Sequence, residues 1–325
     1  MKDMQNLNKI KTFFLAVNTG YHLAGEPDDR MIEFYGDRSG SDIYCSIVGN
    51  VVIPAGFATN DNCVYISSSD AWKKLADKIS SNGSIPGIQL STTWEGYSGI
   101  KKFVASSEND FEPYFSIVKN IETHTLDKIF DGFKQGAKLA IECGFKHIQL
   151  HAAHGYLLSL VIDSNFCDNH EYAMLMLDKT IKEIREKNIE CSVRFSLKTG
   201  LQSLDRNRKK DIIKLMSLEP DFFDVSFGFY NINKNMIYPT SSAMLKSRIK
   251  SCLELAEAFK DKKIIISGKS LDGYTDNLAD NIHLGICRDL IANPNYLTDK
   301  STKCENCKVC HYHSRGEKDL LCAKW

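Results

Sequence analysis

The chain has 325 residues, 43% of them hydrophobic and 25% charged. Its 41 basic residues match its 41 acidic ones, with an isoelectric point near 7.1. That balance offers no basic stripe for nucleic acid and no acidic tail, and the longest apolar runs, such as 264–266, are far too short to cross a bilayer. The N-terminus MKDMQNLNKI lacks the apolar core of a secretion signal. A cytoplasmic protein is expected, with no membrane or nucleic-acid partner and with core enough for one large domain or two ordinary ones.

Residues 12–18 form the first strand-like run and 43–50 the second. Behind Ser69, Trp72, Leu75, Ala76 and Ile79 recur at helical spacing, and a third run follows at 85–90. Residues 91–122 are long, polar and aromatic, which marks an elaborated loop. Leu126, Ile129, Phe130, Phe133, Ala137, Ala140 and Ile141 then predict a helix that Thr125 caps and Gly144 ends. Runs four to six lie at 145–151, 190–196 and 222–226, and residues 228–243 form a second long loop. Leu253, Leu255, Ala256 and Phe259 mark another helix before the last two runs, 263–268 and 282–287.

Strands alternating with helices imply crossover connections and a parallel sheet. Eight of them predict a closed (β/α)8 TIM barrel over residues 1–300, followed by a cysteine-rich extension at 301–325. The alternative, a doubly wound open sheet, lacks the G-x-G-x-x-G expected after its first strand.

The fourth run ends in LHAAHGYLLS. Alternation sets Phe145, His147 and Gln149 on one face, with Lys146, Ile148 and Leu150 on the other. His151, His154 and Tyr156 then emerge at the strand's C-terminal end, where barrel enzymes hold their chemistry. Two imidazole donors and a phenol suit a substrate whose carbonyl is polarised while a neighbouring carbon receives a proton. On spacing alone, the same residues also read as satisfied loop histidines and a packing tyrosine.

The eleven cysteines fall into two groups. Cys45, Cys63, Cys143, Cys167, Cys191, Cys252 and Cys287 are scattered, and an odd total argues against a disulfide framework. Cys304, Cys307, Cys310 and Cys322 are spaced C-x2-C-x2-C-x11-C. Four thiolates at this density suit a [4Fe-4S] cluster or tetrahedral zinc, with His311 and His313 as substitute zinc ligands. A thiol cluster that holds no metal is the plain alternative.

The segment AIECGFKHIQLHAAHGYLLSLVIDSNFCDN resembles the central signature of the Old Yellow Enzyme family of flavin oxidoreductases. LAVNTG, GEPDDRMIEFYGDRSG, IVGNVVIPAGF, GIQL, SVRFS, IIISGKS and ICRDLIANPNYL resemble further family segments in the family's order. The resemblance implies FMN at the barrel mouth, reduced by NAD(P)H and reoxidised by a small molecule of α,β-unsaturated carbonyl type. It places Arg194 and Gln89 at the flavin pyrimidine edge and Thr19 near the isoalloxazine. Ala16, Asn18 and Gly49 would line the ring through backbone groups. Gly268 would approach the phosphate, with Arg288 as its cation and Cys287 where the family has glycine. His151 and His154 would hold the substrate oxygen, and Tyr156 would deliver the proton.

The tail resembles the iron–sulfur branch of that family, with dienoyl-CoA reductase and trimethylamine dehydrogenase. That implies a [4Fe-4S] cluster on Cys304, Cys307, Cys310 and Cys322 and a separate electron-transfer protein as partner. Departures gather at the substrate loops. Val17 and Asn18 stand for the family's proline and methionine, QLSTTWEGYSG lacks the expected histidine and arginine, and 228–243 has no counterpart. They leave two alternatives: a flavin and iron–sulfur electron-transfer module without its own turnover, and a metal-dependent barrel lyase using His151 and His154 as ligands.

Overall fold

The computed structural model describes residues 10–40, 42–99, 107–269 and 278–325. Eight strands pair in chain order: β1 (Thr12–Phe14), β2 (Cys45–Val52), β3 (Ile85–Ser91), β4 (His147–Ala152), β5 (Glu190–Ser196), β6 (Phe222–Ser226), β7 (Ile264–Ile266) and β8 (Ile282–Ile286). Every pairing in this ring is parallel, and β1 joins both β8 and β2. The sheet therefore has no free edge in the ring. It is a (β/α)8 barrel, and the open-sheet alternative falls.

Alternation along the strands builds two cores. Ile148 and Leu150 of β4, Val193 and Phe195 of β5, and Phe223 and Val225 of β6 face outward onto the helices. Phe13, Cys45, Ile47, Phe222 and Ile265 fill the barrel floor. Two glycines make that filling possible: a Cβ on Gly87 would lie 2.7 Å from Cys45 Sγ, and one on Gly285 would lie 2.7 Å from Leu15. Phe145 departs from expectation. It precedes β4 and packs on Trp72 with ring centroids 6.2 Å apart, so it belongs to the helix layer rather than to the face of His147.

The main helices are α1 (Asp29–Asp37), α2 (Asp70–Ser81), α3 (Thr123–Glu142), α4 (His170–Arg185), α5 (Lys209–Met216) and α6 (Ser242–Ala258). Asp28 caps α1 by accepting from Met31 N, and Ser241 caps α6 by accepting from Met244 N. Thr125 does not cap α3. It lies inside the first turn, and Glu122 occupies the cap. Gly144, at φ +100°, ends the helix as expected. None of the described helices is long and apolar enough to cross a membrane.

Three segments position the site. Loop 91–122, described except for 100–106, carries the helix Glu112–Val118. Loop 228–243 contains the short helix Lys234–Ile237. The C-terminal segment lies back against the barrel. Leu320 N donates to Thr19 O (2.7 Å), Tyr21 Oη to Leu320 O (2.7 Å), and Trp325 Nε1 to Ile291 O (2.9 Å).

Candidate active site

The end of β4 sets the central residues. His151 Nδ1 accepts from Ala153 N at 3.2 Å, which leaves the imidazole proton on Nε2. The chain then reverses through two left-handed residues, His154 (φ +64°) and Gly155 (φ +76°). Only glycine fits the second position, because a Cβ there would lie 2.3 Å from the Phe229 ring. This turn gathers three side chains. Ring centroids of His151 lie 5.0 Å from those of both His154 and Tyr156. His154 Nε2 lies 2.6 Å from Ser226 Oγ. Arg194 Nη2 lies 3.5 Å from the same hydroxyl, which has lone pairs for both neighbours; when the hydroxyl donates to His154 Nε2, the ring proton sits on Nδ1.

Burial decides the charge of all three. It lowers His151 to about 3, helped by the Arg194 charge. His154 falls well below the usual histidine range for the same reason, with His151 and Arg194 adding to it. Burial pushes the Tyr156 phenol well up, and Tyr97 and Tyr230 reinforce the shift. The site thus presents two neutral imidazoles, each with one N–H, beside a protonated phenol.

A polar layer lies deeper in the barrel. Gln89 Nε2 donates to Gln149 Oε1 (2.6 Å), and Gln149 Nε2 donates to Ser192 Oγ and Asp224 Oδ2 (both 3.2 Å). Arg194 Nη1 donates to the same Asp224 oxygen. Between this layer and the loops lies a cavity with an empty volume of about 1290 Å3, part of it open to solvent.

Ala16, Asn18, Gln89, Arg194, Gly268, Cys287 and Arg288 all line that cavity, as do His151, His154 and Tyr156. Thr19 and Gly49 are not in its wall. Thr19 Oγ1 accepts from Tyr21 N (3.2 Å), while Gly49 N donates to Tyr35 Oη (3.2 Å). On the side of β7 and β8, Gly268 (φ +90°) and Lys269 (φ +65°) turn the backbone beside Arg288. Arg288 donates to Pro239 O (2.8 Å) and Asn306 Oδ1 (3.0 Å), and Lys269 Nζ donates to Cys304 O (2.9 Å).

Several lining residues escaped the sequence reading. Tyr230 and Tyr238 come from the unmatched loop 228–243, and His311, Tyr312 and His313 come from the tail. The His311 ring lies tilted against that of Tyr238, with centroids 4.1 Å apart, and burial lowers its pKa to about 3. His313 Nε2 lies 3.0 Å from Gly99 O. Loop length was the one available signal for the tyrosines. For the tail, HYH stood beside the cysteines and was read only with them.

Cys304, Cys307, Cys310 and Cys322 line one smaller pocket, which shares Arg288, Ile291, Cys310 and His311 with the main cavity. Left-handed Asn306 (φ +61°) and Lys308 (φ +64°) make the tight turns between the first three, and Asn306 N donates to Cys304 Sγ at 3.4 Å. Burial raises Cys310 to about 12. Among the described residues, no three histidine, cysteine or acidic side chains are close enough together to hold a metal ion.

The model of the NADH:flavin oxidoreductase / NADH oxidase family matches residues 8–171, which carry Gln89, His151, His154 and Tyr156. The chain is similar to an NADPH dehydrogenase of Clostridium acetobutylicum, 26% identical over 284 residues that cover 81% of this chain and 82% of that protein. It is also similar to 12-oxophytodienoate reductase 1 of Oryza sativa subsp. japonica, 30% identical over 100 residues, 27% of this chain and 26% of the relative. Two solved structures share the barrel. The 2-naphthoyl-CoA reductase complex with 2-naphthoyl-CoA has a TM-score of 0.71 at 15% identity, covering 97% of this chain and 54% of its own. Old Yellow Enzyme from Pichia sp. AKU4542 has a TM-score of 0.65 at 17% identity, covering 89% and 85%.

Proposed function

The chain belongs to the NADH:flavin oxidoreductase / NADH oxidase family and is an NAD(P)H-dependent FMN oxidoreductase; from that premise we propose that it reduces an activated small molecule of α,β-unsaturated carbonyl type, which His151 and His154 hold and Tyr156 protonates. One observation carries the reading: two neutral imidazoles, each left with a single N–H donor, stand beside a protonated phenol in the wall of one cavity.

The residues present fit FMN. Gln89 and Arg194 supply an amide and a guanidinium on one side of the cavity, matched to the carbonyls and the developing charge of a flavin pyrimidine edge. Gly268, Lys269 and Arg288 supply a sharp turn and two cations on the side of β7 and β8, matched to a phosphate. When bound, FMN supplies a hydride carrier that NAD(P)H can load. The protein's own residues do the rest. His151 Nε2–H and His154 Nδ1–H donate to the substrate oxygen, and Tyr156 Oη holds the proton for the carbon beside it. Ala16 and Asn18 line the cavity as ring contacts, and Cys287 lines it beside Arg288 at the phosphate end, while Thr19 follows Asn18 in the chain and Gly49 N shares the Tyr35 hydroxyl with Val17 N.

Cys304, Cys307, Cys310 and Cys322 are the residues that would hold a [4Fe-4S] cluster, which would supply single-electron exchange with a separate protein. Their shared pocket, its common wall with the flavin cavity and the N–H···S bond at Cys304 support this. The test is direct. Anaerobically purified protein should carry FMN, about four irons and four acid-labile sulfides per chain. NADPH should bleach the flavin and a cyclic enone should restore it. Protein that takes up no FMN on addition overturns the flavin assignment. Stoichiometric zinc, or no metal, overturns the cluster alone.

A further inference from the structure

Asp224 sits on β6 with its side chain fully buried inside the barrel. Its Oδ2 accepts from Arg194 Nη1 and, at 3.2 Å, from Gln149 Nε2. Gln149 Oε1 in turn accepts from Gln89 Nε2 at 2.6 Å. The two side chains that face the cavity with a guanidinium and an amide are therefore tied back to one carboxylate, Arg194 directly and Gln89 through Gln149. Asp224 Oδ1 is buried and has no hydrogen-bond partner among the described residues.

A buried carboxylate with one bare oxygen carries a desolvation cost, so its presence calls for a reason. A buried ion pair is weak evidence for a stabilising role, because replacing both partners by packed neutral groups is often without loss, whereas removing one partner alone is costly. Register explains its position. Arg194 pairs with Asp224 across β5 and β6 and with His151 across β4 and β5, so His151, Arg194 and Asp224 stand in one register row.

Resting on the FMN reading above, we propose that Asp224 is a positioning residue that sets the flavin potential through Arg194. Reduction adds negative charge to the pyrimidine edge, and a lone guanidinium there favours it. A carboxylate behind the guanidinium opposes it, lowers the potential and makes the reduced cofactor a stronger hydride donor. The same carboxylate aims both donors: its bond to Arg194 holds the guanidinium, and its bond to Gln149 holds the amide to which Gln89 donates.

The experiment compares FMN midpoint potentials of the parent and Asp224→Asn by equilibrium titration against a reference dye. Asparagine keeps the size and one acceptor but removes the charge. The expected result is a shift of the reduction equilibrium toward reduced flavin by tenfold or more, about 30 mV for a two-electron couple. Asp224→Ser, smaller and neutral, carries the same expectation should the asparagine variant fail to fold. A flavin-loaded neutral variant whose potential is unchanged or lower overturns the proposal and leaves the FMN assignment standing. A parent that binds no FMN removes the reading beneath it and this inference together.

Discussion

At the residue scale, the proposed chemistry rests on Tyr156 remaining a phenol. Its ring lies 5.9 Å from that of Tyr97 and 6.3 Å from that of Tyr230, an apolar setting that keeps the proton on oxygen. Tyr156→Phe preserves the ring and removes only that proton. Loss of a general acid costs roughly 10²–10⁴-fold, so reoxidation of the reduced flavin by an enone should slow by that factor. Flavin reduction by NADPH needs no proton from this residue and should stay within about twofold of the parent. Stopped-flow measurement of the two half-reactions separates them, and equal reoxidation rates would take Tyr156 out of the mechanism. The place of His151, His154 and Tyr156 at a strand end was legible in the sequence because their spacing after an apolar run is local, while their proposed roles came from the family resemblance. Asp224 was not, since it reads as one more residue of a buried strand. Its partners Gln149 and Arg194 lie 75 and 30 residues away along the chain.

At the scale of elements, the turn after β4 decides whether the two histidines converge. Gly155 combines a left-handed backbone with a close approach to Phe229, and Tyr230 N donates back to His154 O at 2.9 Å. Gly155→Ala meets both obstacles. Backbone strain of this kind costs about 1–3 kcal/mol, and the clash adds to it. Gly316 offers the control, being left-handed at φ +81° with nothing within 4 Å of its added Cβ. Thermal unfolding of both variants should show the larger loss for Gly155→Ala, accompanied by loss of enone reduction. Equal losses would mean that the Phe229 contact carries no weight. Helix ends show what periodicity misses: Thr125 has a capping residue's chemistry, yet α3 starts two residues earlier at Thr123 with Glu122 in the cap.

At the scale of the whole molecule, burial of neutral histidines sets acid stability. His151 and His311 are each held down to about 3, and His154 is well below its ordinary value. The unfolded chain takes up these protons near pH 6.5, whereas the folded chain does not. Between those limits the unfolded state binds more protons, so stability rises with pH and is lost as pH falls below about 6.5. Each fully protected histidine contributes a slope of about 1.4 kcal/mol per pH unit in that window. Urea unfolding at pH 7, 6 and 5 should show a midpoint that falls steadily. His311→Gln should flatten the fall, because one neutral group is replaced by another that never titrates. A midpoint independent of pH across this range would contradict the assignment of neutral buried rings.

The sequence by itself determined the barrel, the order of its eight strands and the place of the histidine pair. Each depends on short-range patterns: apolar runs of strand length, helical spacing between them, and a motif of a few residues at a strand end. Tertiary structure alone decided what meets at the mouth. Closing the ring laid the carboxylate of Asp224 against Arg194, and folding the tail back set His311 against Tyr238, 73 residues earlier in the chain. Neither contact leaves a periodic trace, because a barrel interior and a returning segment join residues whose separation follows from strand register and loop path rather than from local backbone geometry.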